Sequence, residues 1–146
     1  VVGELVDNIY QHSEFTMALV MAQKYPKKGF VELGFFDNGI TIPGSFLKQG
    51  LIYDEEEAHK AIADALKGLS SKGGKERGHG LRSSVRIFLE GLGGEVLIIS
   101  GAGAVYMSKQ GSSCYVLGGY HKLGGTLISI RIQDLAKQIN IYNYVE

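Results

Sequence analysis

Apolar residues Val2, Leu5, Val6 and Ile9 recur at helical spacing, while Glu4, Asp7, Asn8 and Gln11 fall on another face, which predicts an amphipathic opening helix. Val31, Leu33 and Phe35 then alternate as in a half-buried strand ending at Asp37. The turn signal Pro26-Lys27-Lys28-Gly29 precedes that strand, so residues 16–25 read as its hairpin partner rather than as more of the first helix. Residues 37–44 read as a loop. A helix opening at Asp54 follows, with Ala58, Ile62, Ala65 and Leu66 on one face and acids in the first turn that suit the helix dipole. Beyond a polar, glycine-rich stretch at 68–80, the stripe Leu81, Val85, Phe88 and Leu92 predicts a further helix, ended by Gly93-Gly94. Strand patterns at 96–100, 105–109 and 126–132, and a helical tail from Gln133, complete the chain. This order predicts an α/β (α+β) two-layer sandwich, in which a mixed, mainly antiparallel sheet is covered on one face by helices.

Composition narrows the class. The 146 residues, 45% of them hydrophobic, predict a single domain over 1–146. The chain opens on Val1 already inside a helical pattern, so upstream residues are expected to be missing. Fifteen Lys and Arg balance fifteen Asp and Glu, which argues against a nucleic-acid partner or a membrane-surface binder. No apolar run approaches a membrane span, and Cys114 is the only cysteine, which excludes an intramolecular disulfide. A cytoplasmic location is expected. Twenty-one glycines are well above the usual share, and fifteen of them fall between Gly68 and Gly125. The backbone there must turn tightly or approach something closely.

Three constellations carry candidate chemistry. Glu4 and Asn8 are four apart and share a helix face; a carboxylate beside a neutral oxygen can hold a water and a magnesium ion, although a solvated face has the same spacing. Asp37-Asn38-Gly39 ends a strand, where a carboxylate can accept from an exocyclic amine and Gly39 admits a flat ring; an ordinary Asp-Gly turn would look alike. Gly78-His79-Gly80-Leu81 joins a basic loop to a helix start, an arrangement suited to phosphates. Between residues 67 and 86, Lys67, Lys72, Lys75, Arg77, Arg82 and Arg86 face the single acid Glu76. Gly101-Ala102-Gly103 only imitates a dinucleotide fingerprint, because no Asp or Glu occurs between Val96 and Gln133. Residues 68–75 miss the P-loop spacing, and His12, His59, His79 and His121 are too scattered for a zinc motif.

Taken in order, Glu-x-x-x-Asn on a first helix, Asp-x-Gly at a strand end, a glycine-rich segment opening a helix and a late Gly-Thr resemble the GHKL (Bergerat-fold) ATPases, which include type II topoisomerases, heat-shock chaperones and sensor histidine kinases. The segment Asp37-Asn38-Gly39-Ile40-Thr41-Ile42-Pro43 resembles the histidine-kinase-like group most, as does Glu90-Gly91-Leu92-Gly93-Gly94-Glu95. The resemblance implies a histidine-kinase-like ATP-binding domain with a glycine-rich ATP lid and ATP and Mg2+ as cofactors. It implies that Asn8 ligates magnesium and that Asp37 accepts from the adenine amino group. Gly39 and Ile42 would line the adenine site, and Gly78, His79, Gly80 and Leu81 the phosphates. Gly125-Thr126 would match the late motif, with Thr126 supporting adenine. Glu4 matches the acid that serves as general base in the topoisomerase-like branch. Charge adds Lys72 and Arg77 as lid contacts. The implied function is slow ATP hydrolysis or transfer of the γ-phosphoryl group to a protein partner, with a homodimer left open. Thr41 and Arg82 stand where the family often has glycine, which motivates the alternative of a non-catalytic, ATP-gated protein-interaction switch.

Overall fold

A computed structural model describes residue 3, residues 13–67, 79–134 and 141–143. Six strands form one sheet: β1 Ala18–Tyr25, β2 Phe30–Asp37, β3 Glu95–Gly101, β4 Gly103–Ser108, β5 Gly111–Val116 and β6 Leu123–Gln133. Their spatial order is β1-β2-β6-β3-β4-β5 and every pair is antiparallel, so the parallel component of a mixed sheet is not found among the described strands. The helices are α1 Ile42–Leu47, α2 Ala58–Leu66 and α3 His79–Arg86. The architecture is α+β: an open antiparallel sheet with helices packed against it.

Alternation in the strands builds the core. Phe35, Ile128, Ile98 and Val105 are successive register partners across β2, β6, β3 and β4, and all four are buried. Ile62 of α2 and Val85 of α3 join them, with Phe88 just beyond. Each such side chain contributes roughly 1.5–3 kcal/mol by leaving water. The first turn of α2 rests directly on the sheet, since a Cβ at Gly103 would lie 2.4 Å from the His59 backbone nitrogen.

The differences from the sequence reading have local causes. Residues 42–44, expected as the end of a loop over 37–44, instead begin a helix that runs to Leu47, because Thr41 caps it: its Oγ1 accepts the Gly44 amide at 3.0 Å, and Pro43 sits in the first turn, where no amide is needed. Strand β5 is an added sixth strand; Gly-Ser-Ser-Cys-Tyr-Val is exposed throughout and carries no alternation to betray it. After α3 the chain widens to i→i+5 bonding, with the Leu92 amide on the Ile87 carbonyl at 3.0 Å, before the expected stop at Gly93-Gly94. Strand β6 runs through Gln133, where a helical tail was expected to begin, and a short 3-10 turn closes at Ile141–Asn143. The rest of that predicted tail, most of the opening helix and residues 68–78 lie outside the described residues.

Candidate functional site

Strand parity places three polar residues on the buried face at one end of the sheet. Asp37 follows Leu33 and Phe35, Thr126 precedes Ile128 and Ile130, and Ser100 follows Val96 and Ile98. They lie in one register row, Asp37 opposite Thr126 and Thr126 opposite Ser100. Their exposures are 2%, 8% and 0%. Buried polar groups must find partners, and two of these, Ser100 and Thr126, do so in a chain that starts at the Ile42 amide. The Ser100 and Thr126 hydroxyl oxygens are 2.7 Å apart, and the Ile42 amide donates to Ser100 Oγ at 2.7 Å.

Asp37 Oδ1 accepts the Gly39 amide at 2.9 Å, and the Ser13 side chain hydrogen bonds the same carboxylate. No Lys, Arg or His pairs with Asp37 among the described residues. Burial therefore pushes its carboxyl above the ordinary value of 3.8, and the two hydrogen bonds offset only part of that rise.

Two glycines are required by close backbone approach. A Cβ at Gly125, whose φ is +135°, would lie 1.9 Å from the Asp37 carbonyl oxygen. Only glycine lets β6 sit this close and set Thr126 opposite Asp37. A Cβ at Gly39 would lie 1.9 Å from the Ser13 carbonyl oxygen, which accepts the Ile40 amide. The space beside Gly39 thus holds the chain's own backbone at Ser13. Asn38 fastens the same crossing, its Oδ1 accepting the Thr16 and Met17 amides at 3.0 and 2.8 Å.

Of the residues singled out from sequence, Asp37, Gly39, Ile42 and Thr126 meet at this end of the sheet. Ile42 comes through its amide, while its side chain packs against the core. His79, Gly80 and Leu81 open α3. Glu4, Asn8, Lys72, Arg77 and Gly78 lie outside the described residues. Among the described residues no group of three or more His, Cys, Asp or Glu is close enough to hold a metal ion. No described helix is long and apolar enough to cross a membrane. Ser100 was not singled out, although its parity with Val96 and Ile98 puts a hydroxyl on a core face and is a readable signal.

This end of the sheet offers one buried acceptor bearing charge and, beside it, a hydroxyl whose one described partner is Ser100. Such a pair can read a flat polar ligand that presents a donor next to an acceptor. No protein-family model matches the chain, and no curated protein matches it.

Proposed function

We propose that the chain is a Mg-ATP-binding module of the GHKL, histidine-kinase-like kind, which slowly hydrolyses ATP or transfers its γ-phosphoryl group to a protein. The observation that carries this reading is Asp37, a carboxylate buried without a cation among the described residues and set opposite the Thr126 hydroxyl by the glycine at 125. Burying a charge without a counter-charge lowers stability, and such groups cluster at functional sites.

In this reading Asp37 accepts a hydrogen bond from the adenine amino group, and Thr126 completes that edge of the pocket. Ile42 and Gly39 belong to the backbone that shapes it. Glu4 is the general base and Asn8 the magnesium ligand on the opening helix. Gly78, His79, Gly80 and Leu81, with Lys72 and Arg77, form the glycine-rich ATP lid around the phosphates. The nucleotide supplies the phosphoryl group, and these residues orient it toward a water or a protein acceptor.

Thermal unfolding with and without Mg-ATP tests the reading. A ligand held only by the native state stabilises it, by about 2.7 kcal/mol at a hundred times its dissociation constant. Wild type should shift upward in melting temperature. Asp37→Asn should lose most of that shift, because a hydrogen bond to a charged group is worth ~1.5–3 kcal/mol. A folded wild type that does not respond to Mg-ATP would overturn the proposal.

A further inference from the structure

We infer that Ser100 is a positioning residue that fixes the Thr126 hydroxyl as a hydrogen-bond donor, so that Asp37 and Thr126 together select the amino-pyrimidine edge of adenine over that of guanine. The inference rests on the ATP-binding reading and adds to it a residue and a selectivity.

It starts from the polarity of one bond. The Ile42 amide can only donate, so at 2.7 Å it occupies an acceptor site on Ser100 Oγ. Ser100 is fully enclosed, and its own proton also needs an acceptor. Among the described residues the other partner of this hydroxyl is Thr126 Oγ1, at 2.7 Å. If Ser100 donates to Thr126, both of its requirements are met. The reverse polarity would leave a proton at 0% exposure with no described acceptor.

The proton of Thr126 is thereby directed away from Ser100. Thr126 is the less enclosed of the two, and it stands opposite Asp37 in the β2–β6 register. The pair then presents an acceptor at Asp37 beside a donor at Thr126. Adenine offers the complement, the N6 amino donor next to the N1 acceptor. Guanine and hypoxanthine offer the reverse, the O6 acceptor next to the N1–H donor. The chain Ile42 N–H to Ser100 to Thr126 also ties this polarity to the start of α1, which Thr41 caps.

The test measures binding of ATP, GTP and 1-deaza-ATP, with magnesium present, to wild type, Ser100→Ala and Ser100→Cys. Wild type should prefer ATP to GTP and should bind 1-deaza-ATP, which lacks the N1 acceptor, more weakly than ATP. In Ser100→Ala the Thr126 hydroxyl is free to invert, so the ATP-over-GTP preference should fall about tenfold, a change of ~1.4 kcal/mol. The penalty for 1-deaza-ATP should shrink as well. Ser100→Cys, with a weak thiol donor, should recover part of both. A folded Ser100→Ala that weakens all three nucleotides equally, or none, overturns the inference and leaves ATP binding standing. If Ser100→Ala does not fold, wild type decides, since equal affinity for ATP and 1-deaza-ATP is incompatible with a donor at Thr126. A wild type that binds no adenine nucleotide while Asp37 stays buried overturns both the inference and the reading beneath it.

Discussion

At one end of the sheet Arg131 lies between Glu32 at 3.4 Å and Glu95 at 3.9 Å, with its guanidinium 4.4 Å from the centre of the Phe30 ring. At the other end Asp37 is buried, with hydrogen bonds from Gly39 and Ser13 and no cation beside it among the described residues. The Arg131 end also has two clefts, of about 330 and 320 Å3, that share Gly93, Gly94, Glu95 and Gln133. The charges of the Arg131 group are nonetheless paired, one guanidinium between two carboxylates, and are about a third to a half open to water, a condition in which ion pairs alter stability little. At the Asp37 end the fold tolerates a group that disfavours it. A ligand that gains from the buried carboxylate offsets such a penalty, whereas an exposed guanidinium already paired with carboxylates gives it less to gain.

The comparison is broken most severely by removing the close approach that creates the Asp37 end. Gly125→Ala places a methyl group 1.9 Å from the Asp37 carbonyl oxygen at a φ of +135°. The expected loss of stability is about 3 kcal/mol or more, read by urea unfolding. Gly111→Ala is the control, because φ there is +139° and nothing lies within 4 Å. It should show backbone strain alone, about 1 kcal/mol. Equal losses at the two positions would mean that the β6 approach to Asp37 is not what demands glycine.

The contrast between the two ends was only partly legible beforehand. Alternation at 31–35 and strand-like apolar segments at 96–100 and 126–132 pointed to three strands, and in the structure burial alternates with period two along 96–100 and 126–130. Asp37 was also legible, as a carboxylate at a strand end two residues before a glycine, whereas Thr126 was reached only through the resemblance of Gly125-Thr126 to the late motif. Helix α1 was missed although Thr41 and Pro43 give a start signal, because six residues leave too little apolar period to read. Strand β5 left no pattern, being an exposed edge on which no burial selects side chains. The crossing of Ser13 over Gly39 and the Ser100–Thr126 bond are long-range contacts, set by which strands pair and invisible to local spacing. The magnesium and general-base assignments rest on Asn8 and Glu4, and the lid on Lys72, Arg77 and Gly78 as well as His79, Gly80 and Leu81; of these only the last three are described, as the start of α3.

A smaller effect sharpens the electrostatic half of the comparison. The folded-state pKa of Asp37 lies above 3.8, the ordinary value expected of the unfolded chain. Below 3.8 both states hold the proton, and the group contributes no difference. As pH rises through the window between 3.8 and the raised folded value, the unfolded chain releases its proton first, so stability falls. Above the folded value the full deficit persists. Asp37→Asn has no such titration, and its stability relative to wild type should therefore rise across that window and then level off. Urea unfolding of both proteins from about pH 3 to pH 7 reads this directly. A pH-independent difference, or one of opposite sign, would show that burial does not dominate at Asp37.

The least effect is expected at Arg131. Arg131→Gln removes contacts to Glu32, Glu95 and the Phe30 face, yet Arg131 is 46% exposed and the two acids 32% and 45%. Water already solvates these charges, so the pairs are worth a few tenths of a kcal/mol each, and the ring contact adds ~0.5 kcal/mol. The total loss should stay near 1 kcal/mol in low salt and fall by about half at roughly 0.5 M salt, where screening removes the ionic part and leaves the stacking. Nucleotide affinity should not change, because Arg131 pairs with Glu95 at the start of β3 while Ser100 lies near that strand's other end. A drop in Mg-ATP binding in Arg131→Gln would mean that the matched charges communicate with the Asp37 end through the shared strands β2, β3 and β6. The two ends would then have to be treated as one coupled site.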